Sequence, residues 1–212
     1  MSALVKICGL KTAEDAHIAI QSGADMIGCV FFEKSPRHVS VDEACDVFDM
    51  VGDADVLRVG LFVDPADDLL DHVLRYVRLD LIQLHGKETP ERIDEIRLNY
   101  GLPVMKALSI ETAEDVVAAK RYDNVADYLL FDAKPPKGSE LPGGNAVTFD
   151  WSLLKNTSWT VPWLLAGGLT CENVRTALKE SGADGVDVSS GVEVEKGIKS
   201  PELIQKFIEN VK

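Results

Sequence analysis

The 212-residue chain lacks the features that mark several large classes of protein. No apolar run approaches the roughly 18–20 residues that cross a bilayer, and residues 1–6 have neither the basic start nor the apolar core of a signal peptide. Positive charge is scarce, because 22 Lys and Arg stand against 35 Asp and Glu, for a formal net charge of −13. We therefore expect a cytoplasmic protein that binds neither nucleic acid nor membrane, since so acidic a surface repels both.

Cysteine is also scarce, and its spacing argues against a metal site. The four cysteines form no CxxC pair and no Cys/His spacing typical of zinc ligands, so no metal is expected. In a reducing cytosol a cysteine is by default a small buried hydrophobe. Cys8 alone has a sequence context that favours more than packing. The cysteines are Cys8, Cys29, Cys45 and Cys171.

A short apolar run, a turn and a capped amphipathic helix recur along the whole chain. Eight such units predict a single α/β domain over residues 1–212, a (β/α)8 TIM barrel with right-handed crossovers. An open doubly wound sheet is less suitable, because no G-x-G-x-x-G follows the first strand. The predicted strands are 3–8, 25–31, 56–63, 80–84, 103–107, 127–132, 161–166 and 184–188. The predicted helices are 12–22, 40–51, 66–77, 89–100, 111–121, 149–155, 170–180 and 200–211.

Helix ends are predicted from capping residues. Ser40 and Glu43 are spaced as a capping box, in which each side chain satisfies a backbone donor of the other residue. Thr12 and Thr170 are predicted as simpler caps. Two further starts combine a cap, a first-turn proline and an acid, namely Thr89-Pro90-Glu91 and Ser200-Pro201-Glu202.

In a TIM barrel the functional residues lie where the strands end, and the first strand ends at Cys8. Period-two alternation places Cys8 and Lys6 on the same face, with Lys6 deeper in the barrel. A thiol is a weak base until nearby positive charge brings its pKa toward neutrality. Cys8 is therefore a candidate general base. Two alternatives remain open. Cys8 could simply be a packed cysteine beside a turn glycine, and Lys6 could pair with a carboxylate and serve packing.

Asp132 ends the sixth strand, which is otherwise almost purely apolar. Partial desolvation there favours the protonated carboxyl that a general acid needs. An aspartate that caps the next turn is the alternative. The Pro/Gly-rich segment 133–147 that follows is not a tight turn, however, and its length is typical of lids and binding loops. Asp132 is therefore a candidate general acid at the hinge of a lid.

Three polar residues follow the second and fourth strands. Arg37, in a loop stiffened by Pro36, offers a planar fork that suits a carboxylate or phosphate, although a solvated arginine is equally compatible with the pattern. Gln83 and His85 alternate with apolar residues, so both are expected to face the barrel mouth and to bind substrate hydroxyls. A hydrogen-bonded core histidine is the alternative for His85.

The last two strands predict a phosphate site. The pair Gly167 and Gly168 allows close backbone approach, and Ser189-Ser190-Gly191 can begin a short extra helix with free amides. Many barrels bind phosphate with this pair of loops. Backbone amides and Arg37 would supply the local positive potential that an anionic substrate needs on so acidic a protein. The expected substrate carries a phosphate at one end.

With these positions in hand, the chain resembles the phosphoribosylanthranilate isomerase family of tryptophan biosynthesis. The matching stretches occur in family order and span nearly the whole chain, although AGGL alone is shared with many phosphate-binding barrels. They are KICGL (6–10), GADMIGCVFFEKSPRHVS (23–40), VGLFVD (59–64), IQLHG (82–86), LLFDAK (129–134), FDW (149–151), LAGGL (165–169) and GVDVSSGVE (185–193).

The resemblance implies an Amadori rearrangement of a small phosphosugar that carries an anthranilate carboxylate. Cys8 would remove the proton from the sugar C2, and Asp132 would protonate the ring oxygen. Arg37 would lie near the carboxylate and Asp187 near a sugar hydroxyl. No metal or organic cofactor is implied, and the chain is expected to be a monomer or a homodimer. The implied phosphate site consists of Gly167, Gly168, Ser189, Ser190 and Gly191.

Two departures from the family pattern and two rival interpretations remain. Within the lid, Asn145-Ala146 replaces the usual Thr-Gly, and Val194-Glu195-Lys196-Gly197 replaces a Ser/Pro-containing turn.

One rival interpretation is another phosphosugar barrel. The isomerase of histidine biosynthesis would be expected to have an aspartate at the position of Cys8. Indoleglycerol-phosphate synthase would be expected to have a lysine general acid and a longer N-terminus. The other rival is a non-catalytic barrel that only binds phosphate.

Overall fold

Eight parallel strands, each paired with the next along the chain, close on themselves where the eighth pairs with the first. The computed structural model describes residues 3–135, 138, 143–144, 148–155 and 157–212. The TIM barrel predicted from the sequence is confirmed. Its strands are β1 Leu4–Cys8, β2 Met26–Val30, β3 Leu57–Phe62, β4 Leu81–Leu84, β5 Val104–Ile110, β6 Tyr128–Ala133, β7 Trp163–Leu165 and β8 Gly185–Val188.

Alternate residues of each strand face the inside of the barrel, as the pleat of a β-strand requires. The strand register brings Lys6 of β1 opposite Asp187 of β8 and Cys8 opposite Gly28 of β2. Nearer the carboxyl ends, Cys8 packs with Val30 and Leu61. The interior is otherwise filled by one apolar cluster, consisting of Met26, Val59, Leu81, Met105, Ala107, Leu130, Leu164 and Ala166.

In the described part of the chain seven α-helices pack around the strands, and predicted caps begin four of them. The Ser40 and Glu43 capping box is present, and Thr12, Thr89 and Ser200 each accept a hydrogen bond from the helix that follows. No helix in the described part of the chain is long and apolar enough to cross a membrane. The helices are α1 Ala13–Gln21, α2 Val41–Asp49, α3 Asp67–Tyr76, α4 Pro90–Tyr100, α5 Ala113–Ala119, α6 Val174–Ser181 and α7 Pro201–Val211.

The predicted helix at 149–155 is wrong. A single 3-10 turn, Trp151–Leu153, occupies this region. Asp150 accepts hydrogen bonds from the backbone and the hydroxyl of Ser152, at 3.0 and 2.6 Å, which closes a local turn. One buried residue, Leu154, anchors the segment. So short a stretch offers too few propagating hydrogen bonds to offset the cost of helix nucleation.

The predicted helix at 170–180 begins later than expected, at Val174, and Thr170 is not its N-cap. The backbone N–H of Thr170 donates to Asn173 Oδ1 at 2.8 Å, so residues 170–173 form a turn before the helix. Thr and Asn side chains offer the backbone local hydrogen bonds that compete with a helical start.

An antiparallel hairpin that the sequence did not predict follows β8. It pairs β9, Glu193–Glu195, with β10, Ile198–Lys199, and contains the departure noted at 194–197. The backbone N–H of Gly197 donates to the Glu193 carboxylate at 3.1 Å, which closes the turn. The hairpin carries Lys199 back to the barrel mouth, where its side chain is almost fully buried.

Candidate active site

A cleft with about 690 Å³ of open space lies at the carboxyl ends of the barrel strands. Two of the eleven predicted site residues lie behind its lining: Gln83 is fully buried beside His85, and Gly191 packs on Leu169. The other nine line the cleft. They are Cys8, Arg37, His85, Asp132, Gly167, Gly168, Asp187, Ser189 and Ser190.

Cys8 is the last residue of β1 and is 3% exposed at the floor of the cleft. Burial raises the pKa of its thiol, the Lys6 ammonium opposes that rise, and the Asp187 carboxylate adds to it, so that the pKa lies above its ordinary value of 9.0.

Lys6 and Asp187 form an ion pair inside the barrel, directly below Cys8. Lys6 Nζ donates to Asp187 Oδ1 at 2.7 Å, and the lysine side chain is fully buried. Burial alone would lower the pKa of Lys6, but the charges of Asp187 and Cys8, together with its hydrogen bonds to them, outweigh burial and raise the pKa above the ordinary value. Lys6 is therefore a permanent positive charge in the barrel interior.

Asp132 faces the cleft from β6, which extends one residue further than predicted and ends at Ala133. The carboxyl group is buried, and its Oδ2 lies 3.3 Å from His85 Nε2. The other ring nitrogen of His85 lies 3.3 Å from Gln83 Nε2. Gln83 therefore orients His85 rather than lining the cleft, and His85 contacts the candidate acid.

The predicted lid, 133–147, is described at residues 133–135, 138 and 143–144, and the Asn145-Ala146 departure lies outside the described residues. Gly143 passes directly over the candidate acid, since a Cβ on it would come within 2.5 Å of Asp132 Oδ2 and 2.8 Å of His85 Nε2. A Cβ on Gly144 would lie 2.7 Å from Arg37 Nη1. The two glycines thus allow backbone to cover both side chains closely.

Arg37 lies in the cleft, but most of its guanidinium is already engaged. Its Nε and Nη2 donate to the two carboxylate oxygens of Glu193 at 2.7 and 2.9 Å, a bidentate pair. Nη1 points toward Gly144. Gly9 makes room for this side chain: its φ is +74°, and a Cβ there would lie 2.7 Å from Arg37 Cδ.

Glu193 also accepts a hydrogen bond from Lys199, so the buried cations of Arg37 and Lys199 share one carboxylate. Lys199 Nζ donates to Glu193 Oε1 and to the Ser189 carbonyl, both at 2.9 Å. Burial alone would raise the pKa of Glu193, but the hydrogen bond from Arg37 and the charge of Lys199 bring it below its ordinary value. Sequence reasoning missed Glu193 and Lys199. The one local signal was a glutamate two positions after the predicted phosphate loop.

The two predicted phosphate loops meet at the cleft. A Cβ on Gly191 would lie 1.8 Å from the Leu169 carbonyl oxygen, so only glycine permits this contact between the loops. Ser190–Val192 forms a single 3-10 turn, in agreement with the short helix expected there. The backbone N–H groups of Gly168 and Ser190 meet no hydrogen-bond acceptor among the described residues. They are free to bind an anion.

The opposite side of the cleft is apolar. It is formed by Val30 at the end of β2 and Phe32 just after it, and by Leu61 in β3 and Val63 just after that strand. No role for these four residues was predicted from the sequence, although period-two alternation places all of them inward. An apolar wall opposite the two predicted phosphate loops suits a ligand with one apolar end.

The described residues contain no cluster of three or more His, Cys, Asp or Glu side chains that could hold a metal ion. The fold and the cleft together define a (β/α)8 barrel with a candidate active site, in which a thiol and a carboxyl group face one cavity beside the two predicted phosphate loops. Comparison with known proteins identifies the family. The model of the N-(5'-phosphoribosyl)anthranilate (PRA) isomerase family matches residues 5–210, and the chain belongs to this family.

Relatives of similar length support the assignment. The chain is 58% identical to the N-(5'-phosphoribosyl)anthranilate isomerase of Paramagnetospirillum magneticum, over 96% of this chain and 94% of that protein. It is 55% identical to that of Rhodospirillum rubrum, over 99% of this chain and 97% of the relative. The crystal structure of phosphoribosyl anthranilate isomerase from Thermotoga maritima matches with a TM-score of 0.88 and 38% identity, covering 99% of this chain and 98% of that one.

A second solved structure carries a ligand. It is phosphoribosyl anthranilate isomerase in complex with reduced 1-(o-carboxyphenylamino)-1-deoxyribulose 5-phosphate. It matches with a TM-score of 0.83 and 34% identity, covering 99% of this chain and 98% of that chain.

Proposed function

We propose that the chain converts N-(5'-phosphoribosyl)anthranilate to 1-(2-carboxyphenylamino)-1-deoxyribulose 5-phosphate in tryptophan biosynthesis, with Cys8 as general base and Asp132 as general acid. The observation that carries the proposal is the shared cleft: a thiol and a carboxyl group, both nearly buried, face one cavity between anion-binding loops and Arg37. Family membership and the named relatives support the reaction itself.

The first chemical step opens the sugar ring. Asp132 gives its proton to the ring oxygen, the bond from that oxygen to C1 breaks, and the nitrogen lone pair forms a C1=N bond. Burial beside His85, 3.3 Å away, keeps water from competing with this transfer.

The second step removes the proton from C2. The Cys8 thiolate takes that proton, its C–H electron pair forms a C1=C2 double bond, and the iminium nitrogen becomes neutral. The resulting enolamine tautomerises to the aminoketose. Because the iminium accepts the electrons, the reaction requires no organic cofactor.

The ends of the substrate suit opposite parts of the cleft. The phosphate would lie at the free N–H groups of Gly168 and Ser190. The anthranilate ring would pack on the apolar wall, and its carboxylate would meet Arg37 through Nη1, the nitrogen that does not donate to Glu193. Asp187 retains one carboxylate oxygen for a sugar hydroxyl, since its Oδ1 accepts from Lys6.

The rival functions predict different behaviour. Another phosphosugar isomerase would turn over a substrate without anthranilate, whereas the apolar wall beside Arg37 suits an aromatic carboxylate. A non-catalytic barrel would bind phosphate yet lose nothing when Cys8 and Asp132 are replaced. Among the relatives, the Thermotoga maritima enzyme is described as dimeric. A monomer or a homodimer remains the expectation for this chain, and its cytoplasmic location stays a prediction.

The test follows the fluorescence of the anthranilate-containing substrate during turnover. Cys8→Ala and Asp132→Asn should each lose on the order of 10²–10⁴-fold in kcat while the substrate still binds, because each removes one proton-transfer group. Cys171→Ala, a buried cysteine outside the cleft, serves as the matched control and should keep the wild-type rate. A near-wild-type rate in either cleft variant contradicts the assigned roles.

A further inference from the structure

The charge nearest to Cys8 belongs to Lys6. On β1 the two residues are separated by one position, so both face the barrel interior. Lys6 Nζ and Cys8 Sγ are each 3.3 Å from the point where a Cβ on Gly28 would lie. The ammonium and the sulfur are therefore close neighbours beside Gly28.

Packing alone does not account for a lysine at this position. Its side chain is fully buried among apolar residues, and a buried ion pair commonly contributes less stability than hydrophobic side chains of similar size. Such a pair does provide a fixed charge in a region of low dielectric, where it acts strongly on a neighbouring ionisable group. The neighbour here is the thiol of Cys8.

We propose that Lys6 is a positioning residue for the reaction: its ammonium stabilises the thiolate of Cys8, and Asp187 limits that support by holding the same ammonium. The inference rests on the proposed role of Cys8 as the base. Lys6 itself is not among the residues that line the cleft, so its proposed effect passes through Cys8.

Two charges of opposite sign thus act on one sulfur. Lys6 lowers the pKa of Cys8 and Asp187 raises it, while burial keeps the net pKa above the ordinary value. A hydroxyl bound to the free oxygen of Asp187 would weaken the hold of Asp187 on Lys6 and favour the thiolate. The other charged or titratable groups around the cleft are Lys199, Arg37, His85 and Asp132.

The experiment measures the ionisation of Cys8 without turnover. Iodoacetamide reacts with the thiolate, forming an S–C bond and releasing iodide, and peptide mapping by mass spectrometry separates Cys8 from the other cysteines. The rate is followed against pH in the intact protein. This readout is independent of the isomerase reaction, so its failure and a failure of the proposed function are distinguishable.

The two partners of the ion pair should shift the alkylation midpoint in opposite directions. Lys6→Met should raise it by about one to two pH units, as expected for a unit charge at this range, and alkylation at a fixed lower pH should be about 10- to 100-fold slower. Asp187→Asn should lower the midpoint by about one unit, because Lys6 then has the thiolate as its nearest anion.

A conservative variant separates charge from structure. Lys6→Arg keeps the cation and should restore a midpoint within about half a unit of the wild type. If Lys6→Met does not fold, Lys6→Arg and Asp187→Asn still decide the question, since only an electrostatic role lowers the midpoint in the latter. Unchanged midpoints, or shifts of the same sign in Lys6→Met and Asp187→Asn, would overturn the proposal.

Discussion

Replacing Glu193 by glutamine tests how far the mouth of the barrel depends on one carboxylate. Glu193 accepts four hydrogen bonds, two from Arg37 and one each from Lys199 and Gly197. Glutamine has nearly the same shape but carries no charge, and its amide nitrogen would face a donor. Glu193→Gln therefore leaves two buried cations without a counterion.

Glu193→Gln should lower the free energy of unfolding by a large amount for a single isosteric substitution. Removing one partner of a buried ion pair costs about 3–5 kcal/mol, and glutamine keeps some of the hydrogen bonds, so we expect about 3 kcal/mol. For a domain of this size that corresponds to a fall in Tm of roughly 6–12 °C. Urea unfolding followed by tryptophan fluorescence and far-UV circular dichroism measures the loss.

A matched control lies on the same hairpin. Glu195 is exposed, and Glu195→Gln should change the free energy of unfolding by less than about 0.5 kcal/mol. If the free energy of unfolding falls by the same small amount in both variants, the network around Glu193 contributes little to stability and the reasoning is refuted.

The effect should also depend on pH. The folded-state pKa of Glu193 lies below its ordinary value of 4.5, so its contribution is fully present above that pH and is lost as the pH falls through the folded-state pKa. The stability gap between wild type and Glu193→Gln should therefore be constant near neutrality and shrink below about pH 4.5. A gap that widens in acid would contradict the assignment.

Two further substitutions test contacts away from the reacting groups. Gly191→Ala would place a Cβ 1.8 Å from the Leu169 carbonyl oxygen, so the phosphate loops must separate; we expect a KM at least several-fold higher, measured by steady-state turnover, and an unchanged KM would contradict this. Lys106→Met leaves the buried carboxylate of Glu88, 2.7 Å from Lys106 Nζ, without its cation. Urea unfolding should show that the free energy of unfolding falls by about 3–5 kcal/mol, and a fall below about 1 kcal/mol would refute this prediction.

Much of the fold could be predicted from the sequence because its signals are local. Apolar runs of strand length alternate with capped amphipathic segments, and this pattern is independent of how the chain closes. Ser40, Thr89 and Ser200 satisfy backbone donors within three residues of themselves, so their roles follow from neighbouring residues alone. The prediction failed at 149–155, where a short apolar stretch lacks the length to propagate a helix.

The positions of the candidate site residues followed from the fold, but their partners did not. Because strand ends meet at one mouth, Cys8, Asp132 and the two predicted phosphate loops could be assigned to a common cleft from the sequence alone. The sequence did not indicate that Gln83 lies behind His85, or that Arg37 pairs with a glutamate 156 positions away.

Cys8 best illustrates which properties follow from the sequence and which follow only from the tertiary structure. From the sequence alone it follows that a cysteine ends the first strand, two positions beyond an inward-facing lysine. Closure of the barrel determined that Asp187, 181 positions from Lys6, would hold the same ammonium. The physical reason is that hydrophobic periodicity and capping act between near neighbours, whereas the balance of charges on a buried thiol depends on which distant strands come together and on how completely they exclude water.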